Sequence, residues 1–339
     1  MSEGAVFVQT NQAENAVVAF RRADDGGLTR LATVETGGGG ANAPHLPSQG
    51  SVTLSEDGRH LLVVNAGTGD VTVFGVGADG ALDAVGRTPT GPVPRSVAEH
   101  DGIVYVLNTG TPGVVGFRLG DAGLEAMLGS EHALSSPEAD PAQVGYTPGG
   151  AALIVTERGT DSITSFPVAS DGALGDLRNT PSSGPTPYGF AFAGGGTLVV
   201  TEAFRAEKGA AATSSYSVDG AEITPVTRSA GNGRSEICWA VATPDGRYAY
   251  TTNFADGAVS CYRIADGGGL ILEDATAGVT EDGRVGLRDE CLADGGRFLY
   301  ALDADSGSIF GWAVGAGGEL TPIGSWGGLP VTSAGLAAT

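Results

Sequence analysis

A plan of about twenty residues repeats along the whole chain, and no other feature constrains its fold as strongly. The clearest copy is TPDGRYAYTTNFADGAVSCY at residues 243–262: a Pro-Asp-Gly turn, an apolar strand, a polar residue, a glycine-bearing turn and a second strand ending on an aromatic. The plan recurs at residues 55–74, 99–117, 147–166 and 293–312, with weaker copies at 5–20 and 193–202. A unit of this size cannot bury its apolar face alone, so the repetition implies stacked supersecondary units around a shared core. The polar residue ending the strand is in turn Asn11, Asn65, Asn108, Glu157, Glu202, Asn253 and Asp303. An aromatic follows nine residues later in six copies: Phe20, Phe74, Phe117, Phe166, Tyr262 and Trp312. In the fifth copy it is Tyr216, fourteen residues on, which marks a five-residue insertion around 203–209.

Each copy extends to four strands. In the second they fall at 51–54, 61–64, 71–76 and 81–87, with Gly or Asp-Gly at each turn. The inner strands of later copies fall at 96–98, 143–146, 189–193, 240–243 and 290–293. The outer strands of copies three, four and five are expected at 124–128, 173–177 and 221–226. Seven four-stranded units with no helical pattern between them predict an all-β, seven-bladed β-propeller, a single domain over residues 1–339. The first copy lacks its inner strand. The tail LPVTSAGLAAT resembles the runs into inner strands at 91–98 and 184–192, so residues 333–338 are expected to close the ring as the inner strand of blade one.

The net charge is −21 and Lys208 is the single lysine. Such a surface repels phosphate backbones and anionic lipid, which argues against nucleic-acid and membrane partners. A few arginines still set a local field for a small anionic ligand. No apolar run approaches the ~18–20 residues of a membrane span. Cys238, Cys261 and Cys291 are odd in number and lie on strands, so buried thiols are expected instead of a disulfide framework. No basic segment followed by an apolar one opens the chain, and the expected location is cytoplasmic.

In a propeller blade the innermost strand lines the central channel, and the loop leading into it opens on the same face as the turn after the second strand. The residues opening the inner strands are Gln49 and Ser51, Arg95 and Ser96, Gln143, Tyr188, Cys238 and Trp239, and Arg288, Asp289 and Glu290. This convergent polar mouth is the expected site for a small-molecule ligand. Gln49, Gln143, Glu157, Tyr188, Trp239 and Asp289 are its candidate binding residues. The Asn positions of the polar ring, with Asp303, are read as caps of their own turns. Glu157 and Glu202 differ, because glutamate is a poor turn former and an enclosed carboxylate needs a partner. Glu202 is a candidate catalytic residue, with Arg95 beside the channel and His45, in a loop next to an inner strand, as a candidate general base. Cys238 is read as an inert thiol, since nothing basic flanks it. Residues 75–80 fit GxGxxG but join two strands and open no helix, so they make no dinucleotide site. No cofactor is expected. A calcium ion held by Glu157, Glu202 and neighbouring Asn or Asp oxygens is chemically reasonable, although no spacing demands it.

The repeat SxDGRxLxVxN, the Gly-x-x-Pro loops and the closing GLAA resemble the lactonase-type seven-bladed propeller family, which includes 6-phosphogluconolactonase and 3-carboxy-cis,cis-muconate lactonising enzyme. The resemblance covers essentially the whole chain. It implies ester or lactone chemistry at the mouth, with Arg, His and Glu as working residues. Glu202 matches the family's Glu at the end of a second strand. The Pro-Arg-His at an inner strand is missing: Pro187-Tyr188-Gly189 stands there, and Pro94-Arg95-Ser96 has Ser for His. An Arg expected after the second strand of blade six is replaced by Phe254. Three functions follow: a hydrolase of a small, sugar-acid-like lactone; a cycloisomerase of an unsaturated carboxylic acid; and a non-catalytic ligand-binding or scaffold propeller.

Overall fold

The computed structural model describes residues 4–44, 46–280 and 284–339. Its strands form seven antiparallel sheets arranged as blades, six of four strands and one of five. The inner strands, from blade one to blade seven, are Ala334–Ala338, Val52–Leu54, Pro94–His100, Pro141–Tyr146, Pro187–Ala193, Ile237–Ala242 and Leu287–Ala293. Ala334–Ala338 pairs antiparallel with Gly4–Gln9, Phe7 opposite Ala337, so the last strand and the first share one sheet. Thr339 Oγ1 accepts from the Ala5 N–H at 2.8 Å and Thr332 Oγ1 donates to the Thr10 carbonyl at 2.7 Å, fixing both ends of this closure.

The core lies in the wedges between neighbouring blades. The aromatics that set the repeat, Phe20, Phe74, Phe117, Phe166, Tyr216, Tyr262 and Trp312, are all buried there. Phe20, for example, packs with Phe298 and Tyr300 of blade seven. Burying such a side chain contributes about 1.5–3 kcal/mol, which is why the aromatic recurs more faithfully than its surroundings. Second-strand tyrosines add directed bonds: Tyr105, Tyr250 and Tyr300 donate to the carbonyls of Gly172, Gly318 and Gly26, each in the outer turn of the following blade. The three cysteines are free and buried, as expected. Among the described residues no helix is long and apolar enough to cross a membrane.

Outer strands differ most from the sequence reading, and the blade-six strand, read as 270–274, runs to Val279. In blade four the strand is Arg178–Pro181 instead of 173–177, and Leu174 makes only an isolated bridge to Val168. Pro167 has no N–H to offer a partner, so the ladder resumes only at Ser165 opposite Arg178. In blade three the outer strand is split into Gly123–Ala126 and His132–Ala133. Between them the Ser130 hydroxyl takes the place of backbone, accepting from the Gly116 N–H and donating to the Gly116 carbonyl, both at 3.0 Å. In blade five it runs longer than expected, over Glu222–Gly231.

Candidate functional site at the channel mouth

The mouth is shaped by one backbone device used in six blades; in blade one it falls at Gly335, between Leu336 opposite Val8 and Ala334 opposite Gln9. In blades three to seven the inner strand carries one residue more than its partner, after Pro94, Pro141, Pro187, Ile237 and Leu287. A bulge of this kind re-aims the extra side chain. The residues released are Arg95, Ala142, Tyr188-Gly189, Cys238-Trp239 and Arg288-Asp289. The residue before each of these five bulges has positive φ: Val93 (56°), Asp140 (40°), Thr186 (59°), Glu236 (53°) and Gly286 (140°). For the four non-glycines this conformation costs about 1–3 kcal/mol each, and β-branched Val93 and Thr186 are the least suited to it. Strain repeated at one level of five blades concentrates at the rim, where side chains must be aimed inward.

Three guanidinium groups gather there. Arg158 stacks on Tyr188, its guanidinium carbon 4.8 Å from the ring centre, and donates to Asp140 Oδ1 at 2.7 Å. Arg288 stacks on Phe254 at 4.9 Å, donates to Asp305 Oδ1 at 3.2 Å and to the Pro44 carbonyl. The arginine that Phe254 replaces in sequence is thus offset by a guanidinium from the next blade, lying over that ring. Arg95 is half-buried, and none of the described residues gives it a hydrogen-bond or ion-pair partner. Burial and the like charge of Arg158 both push its pKa down. A half-buried guanidinium facing another, in a chain of net charge −21, makes a local anion attractor at this mouth.

The other candidates divide into two groups. Gln49, Gln143 and Trp239 already spend their polar atoms on backbone. The Gln49 amide bonds to both the carbonyl and the N–H of Ala240, at 2.8 and 3.1 Å, and its own N–H donates to the Ala142 carbonyl. The residue leading into blade two therefore crosses the axis to blades four and six. It lies against Gly189, where a Cβ would sit 2.2 Å from its Oε1, so only glycine fits. Gln143 pairs in the same way with the Phe190 N–H and carbonyl. The Trp239 indole donates to the Ser48 carbonyl at 2.9 Å. These contacts pin the loop before blade two across the mouth.

Tyr188 and Asp289 lie with the arginines. Tyr188 is buried between Arg158 and Trp239, and burial raises its phenol. Burial also raises the Asp289 carboxyl to about 7, against the pull of the Gly335 N–H and Arg288. The Cys238 thiol is raised by burial and donates to the Glu236 carbonyl, the environment of an inert thiol.

Glu157 and Glu202 are fully buried in the seams of blades four and five. Glu157 accepts from Thr164 Oγ1 at 2.6 Å, Thr160 Oγ1 at 2.7 Å and Ser135 Oγ. Glu202 accepts from Ser214 Oγ at 2.6 Å, the Gly184 N–H at 2.8 Å, Ser229 Oγ at 2.7 Å and Ser182 Oγ at 3.3 Å. Asn65 and Asn253 do the same work in their blades through Thr36, Thr72, Asn232 and Ser260. The glutamates thus find hydroxyl partners, while the nearby arginines are paired elsewhere, Arg205 with Asp161 and Arg158 with Asp140. No polar contact among the described residues joins Glu202 to Arg95. His45 lies outside the described residues. Arg288 is among the mouth residues read from the sequence, whereas the place of Arg158 over Tyr188 emerges only in the fold.

Below the mouth runs a cavity of roughly 370 Å³, walled by inner strands and bearing Gln49, Gln143, Glu99, Asp289 and Glu290. Among the described residues no group of three or more His, Cys, Asp or Glu is placed to hold a metal ion.

A sequence profile described as "Lactonase, 7-bladed beta-propeller" matches residues 3–137 and 124–207. None of the curated proteins matches this sequence. Among solved structures, a proposed 6-phosphogluconolactonase from Bacteroides uniformis is similar over 98% of this chain and 99% of its own, at 18% identity and a TM-score of 0.77. A second such protein, from Bacteroides fragilis, gives 100%, 98%, 19% and 0.75 in the same order. The periplasmic gluconolactonase PpgL of Pseudomonas aeruginosa gives 99%, 99%, 18% and 0.74. At these identities the likeness is one of fold. With the profile covering residues 3–207 and the ring closed by its last strand, this chain belongs to the lactonase family of seven-bladed β-propellers.

Proposed function

We propose that the protein hydrolyses a small, sugar-acid-like lactone carrying an anionic group, bound at the channel mouth. The observation that carries this reading is Arg95, an enclosed guanidinium without a partner, set against Arg158. Arg95 takes the anionic group or the developing oxyanion, and charge-assisted bonds there gain strength from the enclosed setting. Tyr188, buried between Arg158 and Trp239, holds the Arg158 guanidinium beside Arg95. His45 supplies the base that draws a proton from water. It follows Pro44, whose carbonyl Arg288 holds, and precedes the buried Leu46. Glu202 is the alternative base, but its oxygens already accept four hydrogen bonds, which favours His45. The lactonase profile and the lactonase-type neighbours support the reaction class. No cofactor is required by this scheme.

Arg158 beside Arg95, with Arg288 also at the mouth, suits a second reading, a cycloisomerase that folds an unsaturated acid onto itself. A pH-stat screen of charged and neutral lactones, with and without chelator, run beside an ultraviolet assay on muconate-type acids, separates the two. Acid release from an anionic lactone supports hydrolysis. Absorbance change without acid release selects the cycloisomerase. Silence in both, with a protein partner recovered by pull-down, selects the scaffold.

A further inference from the structure

The channel holds an exception that the mouth chemistry does not use. At the level where the other six inner strands carry Val52, Val97, Val144, Phe190, Ala240 and Leu336, blade seven carries Glu290. Its side chain is buried, 4% exposed, and lines the cavity; only the Thr252 N–H approaches its carboxyl, and neither oxygen makes a hydrogen bond of good geometry. Asp289 lies beside it, 3% exposed, with Oδ2 likewise unpartnered. A third unpartnered oxygen donor belongs to another blade. Ser51 Oγ is fully buried and lies against Gly335, whose N–H faces Asp289; a Cβ on Gly335 would sit 2.4 Å from that hydroxyl. Among the described residues the other buried carboxylates are served: Glu157 and Glu202 by hydroxyls, Asp70 by Arg87 and Asn65, Asp303 by the Ser306 N–H.

Two buried carboxyls with three free oxygens need either protons or a cation. The donors are hard oxygens only, which suits calcium or magnesium and not zinc or copper. Two carboxylates match the charge of one divalent ion. The irregular donors and the roughly 370 Å³ of space, enough to retain several waters, suit the loose shell of calcium better than the octahedron of magnesium. We propose that the central channel binds one calcium ion between Asp289 and Glu290, with Ser51 and channel waters completing its shell. The ion ties the inner strand of blade seven to the loop that opens blade two, and Gly335 of blade one lies between them. This placement differs from Glu157 and Glu202, whose oxygens are already committed to hydroxyls. It does not rest on the lactone chemistry at the mouth.

The test is isothermal titration of chelator-treated protein with calcium chloride, paired with thermal unfolding. The expected result is one ion bound per chain and a Tm that climbs with calcium, since a ligand of the folded state alone stabilises by mass action. Glu290→Gln and Asp289→Asn each lose most of that binding and flatten the Tm response, while Arg95→Met keeps both. A channel that is hydrated only, with no heat and no Tm shift up to about 10 mM calcium, beyond the weakest calcium modules, overturns the proposal. So does undiminished binding in a folded Glu290→Gln protein. Should one variant fail to fold, the other carries the comparison, and the wild-type titration stands by itself.

Discussion

Two pairs of buried acids sit in this molecule under opposite conditions. Glu157 and Glu202, in the seams, are ringed by serine and threonine hydroxyls supplied by their own blade and by the loop arriving from the previous one. Asp289 and Glu290, on the channel wall, keep three oxygens without a partner. Burial is the same in both places. What differs is whether the surroundings were built around the charge. A carboxylate with all its lone pairs occupied belongs to the scaffold, and one left open is available to something that arrives from outside. The arginines repeat the contrast: Arg158 and Arg288 are paired and stacked, whereas Arg95 is not.

The largest expected effect falls on the scaffold itself. Deleting residues 331–339 removes the strand opposite Gly4–Gln9 and the buried Ala334, Leu336 and Ala337, and should abolish cooperative thermal unfolding. An unchanged Tm would show that the ring does not depend on this closure. Next in size is His45→Ala, expected to lower kcat by about 10²–10⁴-fold with Tm preserved. In the wild-type protein kcat/KM should rise with pH as an imidazole loses its proton, and that limb should vanish in the variant. A smaller effect is expected for Glu202→Gln. Replacing a served carboxylate should cost about 1–3 kcal/mol of stability, read from denaturant midpoints, with turnover per folded molecule unchanged. Collapsed turnover at unchanged stability would erase the distinction between seam and mouth and make Glu202 the base.

Much of this was legible in the sequence, and the rest was hidden for identifiable reasons. The aromatic and the polar residue at fixed spacing set all seven blades in phase, and the GLAA tail showed where the ring closes. Outer strands were the weak point, because Pro167 and Ser130 act on hydrogen bonds that no period records. Glu202 drew attention as an oddity among asparagines, yet hydroxyls scattered over residues 182–229 are its partners, and only folding brings them together. The bulges that aim Arg95, Tyr188 and Arg288 leave no mark beyond an occasional Pro. Glu290, by contrast, is visible once the inner strands are aligned, since six apolar residues share its level.

The central claim is that an open guanidinium at the mouth recognises an anionic lactone. It is tested most directly by measuring kcat and KM of wild-type and Arg95→Met protein on two lactones that differ only in an anionic substituent. The prediction is a KM about 10–100-fold higher in the variant for the charged lactone, the loss expected for one charge-assisted bond, and little change for the neutral one. Equal losses on both substrates, or none on either, would contradict it.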